Sequence, residues 1–188
     1  MSTLPDYTIS PEEYLDFERG AETKNEYIDG QVVAMAGASE RYNRLVANLI
    51  IALGTQLRGQ SCRVYPSDLK VQMPGGRRYF YPDVSVICGP AAFVDEQQDV
   101  VTNPVVIIEV LSDATAAVDR GLKLQSYIQI PTLEDYLLVS QDMELIERYS
   151  RGDDGPWLYT EHMGADATID LASIGCRLAL ADIYDQAT

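Results

Sequence analysis

Two carboxylates lie in or beside strand-forming segments of this sequence, and they are its most informative residues. Glu109 interrupts the otherwise apolar run 105–111, which has the composition of a strand buried on both faces. A charge in such a place is costly unless an opposite charge or hydrogen bonds compensate it. Asp83 follows Pro82 in the preceding β-rich segment. If the two strands are neighbours, the carboxylates of Asp83 and Glu109 lie close together.

Two carboxylates at such a short distance repel each other, and the repulsion raises the pKa of one of them unless a cation lies between them. Mg²⁺ and Mn²⁺ prefer oxygen ligands and keep several bound waters, which leaves room for a phosphate group and a nucleophile. The pair therefore indicates a divalent-metal site suited to phosphodiester hydrolysis. The alternative is that Arg, Lys or backbone donors satisfy both carboxylates without a metal ion.

The elements that must position this pair can be predicted from capping, turn and periodicity patterns. Ser10 and Glu13 have the spacing of a capping box, and Asp29-Gly30 is a strong hairpin signal. The predicted elements are a helix at about 11–19, a hairpin of 25–28 and 31–35, a long amphipathic helix at 39–59, an antiparallel pair of strands at 63–73 and 79–88, a central strand at 105–111, a helix at about 114–129, a strand pair at 136–140 and 145–149, and weaker strands beyond 155.

This order predicts an α/β (α+β) fold in which a mixed central β-sheet is flanked by helices and preceded by an N-terminal helix and β-hairpin. The length of 188 residues fits one domain, 1–188, because a body of that size buries enough surface to be stable without staples. We find no repeat, low-complexity tract or linker that would divide it.

Charge is distributed unevenly along the chain. The formal net charge is −15, which is unfavourable for binding nucleic acid. Residues 41–78, however, hold seven of the fourteen basic residues and a single acid, Asp68, so this window carries +6 and the remainder −21. A local basic patch acts over about 8 Å at physiological salt and could bind a phosphate backbone. The alternative is a solvated basic face of an acidic protein.

The cysteine and histidine inventory excludes several kinds of site. Cys62, Cys88 and Cys176 are odd in number and widely spaced, which argues against a disulfide framework and a zinc site and implies a reducing compartment. His162 is the only histidine, so histidine-based zinc sites and Ser-His-Asp triads lack parts. No signal-like N-terminus or membrane-length apolar stretch is present, and we expect a cytoplasmic protein.

Four motifs occur in an order that resembles a known group of nucleases. They are Tyr81-Pro82-Asp83-Val84, Glu109-Val110-Leu111-Ser112, Asp119-Arg120-Gly121-Leu122-Lys123 and Ile130-Pro131-Thr132-Leu133-Glu134-Asp135-Tyr136. They resemble the restriction-endonuclease-like superfamily, with its Pro-Asp…(Asp/Glu)-x-Lys signature, and within it the Uma-type endonuclease family, formerly a domain of unknown function. The resemblance extends from residue 10 to residue 184.

The resemblance implies metal-dependent phosphodiester hydrolysis, with Asp83 and Glu109 as metal ligands. The sequence departs from the signature at Leu111, where the superfamily pattern has a lysine that stabilises charge and helps to activate water. Lys123, on the following helix, is the expected substitute and the third catalytic residue. The alternative for Lys123 is a weak surface ion pair with Asp119 at the i−4 position.

Three further positions are interpreted through the same resemblance. Glu26 matches an N-terminal acidic residue that many superfamily members contribute as an accessory metal ligand; the alternative is a solvated glutamate on an edge strand. Tyr42 stands where relatives tend to have histidine, so an acid–base role there is not expected. Asp68 and Lys70 could face the cleft, but the polar face of a half-buried strand is the favoured interpretation.

Two hypotheses from different classes follow. The first is a Mg²⁺- or Mn²⁺-dependent endonuclease that acts on DNA, in which Asp83, Glu109 and Lys123 are catalytic and Glu26 assists in metal binding; a homodimer would suit double-strand cleavage. The second is a catalytically inactive nuclease-fold protein that serves as a nucleic-acid or protein interaction module. Leu111 and the acidic balance favour the second hypothesis.

Overall fold

The computed structural model describes residues 8–35, 37–152 and 155–187. Its strands are β1 (Asn25–Ile28), β2 (Gln31–Ala34), β3 (Cys62–Pro66), β4 (Lys70–Gln72), β5 (Arg78–Phe80), β6 (Val84–Cys88), β7 (Val100–Val101), β8 (Val106–Val110), β9 (Asp135–Val139), β10 (Leu145–Arg151), β11 (Trp157–Met163), β12 (Thr168–Leu171) and β13 (Cys176–Ala179). Its helices are α1 (Pro11–Gly20), α2 (Glu40–Gln56), α3 (Ala116–Val118), a π-helical turn (Asp119–Lys123), α4 (Leu124–Tyr127), a 3₁₀ turn (Ala172–Ile174) and α5 (Leu180–Ile183).

The larger sheet has six strands in the order β11-β10-β9-β8-β6-β3. All its neighbours are antiparallel except β8 and β9, which are parallel and are connected through the helical segment between them. Every residue of β8 is buried, as the apolar run predicts. The predicted fold class, a mixed central sheet with helices packed on it, is confirmed.

A second sheet of five strands, β2-β1-β5-β4-β7, is a feature that the sequence analysis did not predict. The expected antiparallel pair 63–73 and 79–88 is wrong in detail, because each half divides between the two sheets. β3 pairs with β6 in the larger sheet, and β4 pairs with β5 in the smaller one. Pro82 lies between β5 and β6, where its missing N–H group favours the end of one ladder before the next begins.

The larger sheet is covered on both faces. On one face lies α2, whose fully buried Leu45, Leu49 and Leu53 share a core with β6 and β8, as the helical periodicity predicts. On the other face, Ile107 of β8 packs with Tyr127 and with residues of the smaller sheet. Side chains of β8 alternate between these two cores, and Glu109 therefore lies on the second side.

The N-terminal predictions are confirmed residue by residue. The Ser10 side chain accepts a hydrogen bond from the Glu13 N–H, and the Glu13 carboxylate accepts one from the Ser10 N–H, which completes the capping box. In the turn between β1 and β2, Asp29 has φ 50° and Gly30 has φ 101°. Both residues thus adopt the left-handed backbone that a tight hairpin requires. β1 lies between β2 and β5, so it is an inner strand.

The predicted helix at 114–129 is present only as a broken helical segment. α3 and α4 are separated by the π-helical turn, in which the Leu124 N–H donates to the Asp119 carbonyl oxygen five residues back. π-Helical turns of this kind are rare and occur frequently at functional sites. The turn contains Asp119 and Lys123, both of which are buried.

The expectation that the cysteines form no disulfide is wrong. Cys62 and Cys88 are directly opposite each other in the β3–β6 ladder and are joined by a disulfide, while Cys176 is free and buried. The 26-residue separation gives no signal in the sequence, because only the antiparallel register brings the two residues together. The inference of a reducing compartment loses this support. Within the described residues, no helix has the length and apolar character needed to cross a membrane.

Candidate active site

Asp83 and Glu109 meet where β6 and β8 run side by side. The ladder pairs Val84 with Ile108, which makes Asp83 and Glu109 the next opposed residues. The Asp83 N–H donates to Glu109 Oε2 (3.3 Å), and the Val110 N–H donates to Asp83 Oδ2 (2.6 Å). Asp83 is 5% and Glu109 3% exposed. The expected proximity of the two carboxylates is confirmed, although Asp83 precedes β6 and is not part of it.

Lys123 reaches this pair from the π-helical turn. Its Nζ lies 3.1 Å from Glu109 Oε1, 3.0 Å from Glu26 Oε1 and 3.4 Å from Asp119 Oδ1. The Tyr127 hydroxyl also donates to Glu109 Oε1 (2.9 Å). Lys123 is buried, so the alternative of a surface ion pair with Asp119 is wrong.

Glu26 enters the site from the smaller sheet. It lies on the inner strand β1, is buried, and accepts a hydrogen bond from the Tyr81 N–H (3.3 Å) in addition to its contact with Lys123. The alternative of a solvated glutamate on an edge strand is therefore wrong. Two sheets and one helical segment thus converge on a single ammonium group.

Two residues of the site were not assigned to it from the sequence. Asp119, only 2% exposed, lies beside Lys123, and its Oδ1 atom forms no hydrogen bond with any described residue. Tyr42, in the first turn of α2, donates from its hydroxyl to Asp83 Oδ1. The i,i+4 spacing of Asp119 and Lys123 was a signal for their contact, but not for its burial. No pattern in the sequence indicated the contact of Tyr42.

Burial and neighbouring charges shift the pKa values of Asp83, Glu109 and Lys123. Burial, which is only partly offset by hydrogen bonds from Tyr42 and Val110, raises the pKa of Asp83 to about 6. Burial also raises the pKa of Glu109 well above its usual range, against the opposing charge of Lys123. Burial by itself would lower the pKa of Lys123, but the surrounding carboxylates outweigh it and raise that pKa. The site thus contains more acidic groups than one lysine can compensate, and burial disfavours the charged forms of Asp83 and Glu109.

The site opens into a cavity of about 660 Å³. Its polar lining includes the site residues Glu26, Tyr42, Asp83, Glu109, Asp119 and Lys123. Leu111, at the position where the superfamily pattern has lysine, also lines the cavity and is 6% exposed. The ammonium group beside Glu109 belongs to Lys123 of the neighbouring helical segment, and its role as a substitute for the signature lysine stays a prediction.

The chemistry of the donor set fits a hard divalent cation, because all its charged ligands are carboxylate oxygens and their charge is in excess. Asp119 Oδ1, buried without a hydrogen bond, is the atom that most lacks a partner. Across the described ranges, no three acidic, histidine or cysteine side chains are already arranged to hold a metal ion. Lys123 lies among three of the carboxylates instead.

The basic window 41–78 does not form one free cationic surface. Four of its seven basic residues contact carboxylates: Arg44 binds Glu40, Lys70 binds Asp99, and Arg77 and Arg78 bind Asp29. Lys70 is buried, and the exposed Asp68 pairs with Lys24. Neither Asp68 nor Lys70 lines the cavity beside Asp83 and Glu109. The interpretation of both residues as the polar face of one half-buried strand is wrong, because Asp68 lies in the turn before β4 and Lys70 is buried in β4.

Comparison with known proteins gives relatives over most of the chain. An uncharacterized protein of Synechocystis sp., slr1290, is 40% identical over 176 residues, which cover 94% of this chain and 91% of that protein. A second uncharacterized Synechocystis protein, sll1609, is 38% identical over 164 residues and covers 87% of this chain and 93% of its own.

A solved structure shares the fold. The crystal structure described as "a putative nuclease belonging to DUF820", from Anabaena variabilis, superposes with a TM-score of 0.78 at 15% identity and covers 96% of this chain and 99% of that one. The model of the family Uma2, described as "Putative restriction endonuclease", matches residues 11–181. The chain therefore belongs to the Uma2 family of restriction-endonuclease-like proteins.

Proposed function

We propose that this protein is an endonuclease that hydrolyses phosphodiester bonds in DNA and depends on Mg²⁺ or Mn²⁺. One observation carries the proposal: Asp83 and Glu109 approach each other from adjacent strands beside a cavity, and the ammonium of Lys123 lies 3.1 Å from Glu109. A buried acid pair supplies oxygen ligands for a divalent cation, and a neighbouring lysine supplies positive charge for a phosphoryl group.

The roles follow from the contacts. Asp83 and Glu109 would hold the cation, and Glu26 stays a predicted accessory ligand. A bound divalent cation supplies Lewis acidity and lowers the pKa of water. Lys123 would stabilise the negative charge that develops on the phosphoryl oxygens, because its amine stays protonated among the carboxylates. Tyr42, a hydroxyl donor to Asp83, would hold that carboxylate in place.

DNA as the substrate is supported by the family description rather than by a basic surface. With a net charge of −15 and four of the seven basic residues of the window already bound to carboxylates, long-range attraction to a phosphate backbone is weak. Binding should therefore depend on the divalent cation and on contacts within the cavity. A homodimer, a cytoplasmic location and a single domain stay predictions, and sedimentation would test the first.

Nicking of supercoiled plasmid DNA in Mg²⁺ or Mn²⁺ tests the proposal. We expect Asp83→Asn to reduce the nicking rate by at least about 100-fold, because it removes the ligand charge and keeps the shape and the acceptor for the Val110 N–H. Glu109→Gln and Lys123→Met should lower it comparably. Asp170→Asn, which removes an exposed carboxylate on β12, is the matched control and should nick at the wild-type rate.

Equal nicking by wild type and Asp83→Asn, purified in parallel, would refute the proposal. Thermal unfolding of Asp83→Asn in EDTA at or above the wild-type temperature would show that loss of activity does not reflect loss of fold.

The second candidate function is a nuclease-fold interaction module without catalysis. Leu111 favours it, because this residue presents an apolar side chain to the cavity where the signature has a cation. Calorimetric titration with Mn²⁺ separates the two functions. The nuclease should bind Mn²⁺ in a manner that depends on Asp83, whereas an interaction module need bind none.

A further inference from the structure

We propose that Asp119 is a further carboxylate of the divalent-cation site, and that it contributes more to cation binding than Glu26 does. The inference rests on the proposed metal-dependent function and extends it to a residue outside the Pro-Asp…(Asp/Glu)-x-Lys signature. It assigns a chemical purpose to a carboxylate whose buried Oδ1 atom accepts no hydrogen bond from the described residues.

The first argument is the unsatisfied state of Asp119. Its Oδ1 atom is buried and forms no hydrogen bond with any residue in the described part of the chain. Its one charged contact with a described residue is Lys123, at 3.4 Å, which is longer than a charge-assisted hydrogen bond. A buried polar atom without a partner is costly, so such atoms in native proteins usually serve a ligand, an ion or catalysis.

The second argument is the contrast with Glu26. Glu26 Oε1 accepts from Lys123 at 3.0 Å and from the Tyr81 N–H at 3.3 Å, so its charge already has two donors. Asp119 has only the longer contact to the same ammonium. Of the two acids, Asp119 has the more acceptor capacity left for a cation that enters from the cavity, which both residues line.

The third argument is the position of Asp119 relative to the signature pair. Lys123 Nζ lies 3.1 Å from Glu109 Oε1 and 3.4 Å from Asp119 Oδ1, and Asp83, Glu109 and Asp119 all line the same cavity. A cation held by Asp83 and Glu109 would therefore lie in the attractive field of Asp119. The Tyr136 hydroxyl donates to the Asp119 carbonyl oxygen (3.1 Å) and fixes the backbone from which this carboxylate projects.

The fourth argument is charge balance. The site holds four buried carboxylates (Glu26, Asp83, Glu109, Asp119). Among the described residues Lys123 is the one cation in contact with any of them, and it contacts Glu26, Glu109 and Asp119. One divalent cation reduces this excess without removing it, so every carboxylate within reach favours cation binding. The π-helical turn places Asp119 and Lys123 in the same buried region. Lys123 can therefore hold the Asp119 carboxylate near the site.

Calorimetric titration of the full-length protein with Mn²⁺ tests the inference. We expect Asp119→Asn to weaken Mn²⁺ binding by about 10-fold or more and the matched variant Glu26→Gln to weaken it by less than about 3-fold. Asp83→Asn should remove measurable binding. Asp119→Glu, which restores the carboxylate on a longer side chain, should recover part of the affinity that Asp119→Asn loses.

The outcomes separate this inference from the proposed function. Wild-type affinity in Asp119→Asn, with binding lost in Asp83→Asn, would overturn the role of Asp119 and leave the nuclease proposal intact. A wild-type protein that binds no Mn²⁺ would overturn both. Thermal unfolding in EDTA checks the fold of each variant; should Asp119→Asn not fold, Asp119→Ser takes its place with the same expected loss of affinity.

Discussion

Two buried lysines of this protein lie in clusters that differ in charge balance. The Lys123 cluster comprises Lys123, Glu26, Asp83, Glu109 and Asp119, and the Lys70 cluster comprises Lys70, Arg19, Asp95 and Asp99. The first has four carboxylates for one cation. The second has two carboxylates for two cations, and both cations contact Asp99.

The pKa values show what this difference does. In the Lys70 cluster, hydrogen bonding to Arg19, together with Lys70, lowers the pKa of Asp99 to about 2, which means that the network stabilises its charged state. In the Lys123 cluster, burial raises the pKa of Asp83 to about 6, which means that the fold holds a carboxylate where its charge is unfavourable. The balanced cluster is suited to stability, whereas the unbalanced one is suited to the proposed divalent cation.

Removal of each lysine gives the largest expected difference between the clusters. Lys123→Met should lower the free energy of unfolding by about 3–5 kcal/mol, because it leaves Glu26, Glu109 and Asp119 buried without a cation. Lys70→Met should cost only about 1–2 kcal/mol, because Asp99 keeps Arg19. Urea unfolding at pH 7 in EDTA measures both, and equal losses would contradict the comparison.

The pH dependence of stability should have opposite signs in the two clusters. Because the pKa of Asp83 is raised from 3.8 to about 6 on folding, its protonated form stabilises the protein at low pH, and that contribution is lost as the pH rises through 6. The loss amounts to about 3 kcal/mol at most. Asp83→Asn should abolish it and be more stable than wild type at pH 7 to 8 in EDTA.

For Asp99 the sign is reversed. Its pKa falls on folding, so its contribution is present above about pH 4 and is lost as the pH falls through 2. Asp99→Asn should therefore be less stable than wild type at pH 7, and the difference should shrink in acid. Urea unfolding from pH 3 to 8 measures both variants. Parallel pH profiles of the two variants would refute the distinction between the clusters.

Metal addition should stabilise only one cluster. At a Mn²⁺ concentration 100 times the dissociation constant, the wild-type protein should gain about 2.7 kcal/mol of unfolding free energy. Asp83→Asn should gain none, and Asp99→Asn should gain as much as wild type. Thermal unfolding with and without Mn²⁺ provides the measurement, and equal gains in the two variants would show that any bound cation lies elsewhere.

The smallest effect is expected at Tyr42. Tyr42→Phe removes one hydroxyl that donates to Asp83 and should change the free energy of unfolding by about 1 kcal/mol. It should nevertheless weaken Mn²⁺ binding several-fold, because Asp83 loses the donor that orients it. Calorimetry of Tyr42→Phe beside Tyr159→Phe, which removes an exposed hydroxyl on β11, separates this effect from a general one.

Local features of the fold were predictable from the sequence because they depend on neighbouring residues. Each of these patterns relates residues that are close in sequence: the capping box at Ser10 and Glu13, the turn at Asp29 and Gly30, and the spacing of the apolar residues of α2. The buried strand β8 follows from composition alone. The division of residues 63–88 between two sheets was not predictable, because the same β-forming pattern is compatible with either partner strand.

The sequence by itself determined the local elements α1, the β1–β2 hairpin, α2 and β8, and it singled out the two acids Asp83 and Glu109. A carboxylate within an apolar strand requires compensation wherever the strand lies. Only the tertiary structure decided how that carboxylate is compensated. Long-range register places Lys123, Glu26 and Asp119 around one point, and the same kind of register brings Cys62 opposite Cys88. These interactions depend on burial and on the spatial distance between segments that are far apart in sequence. Both are properties of the packed chain.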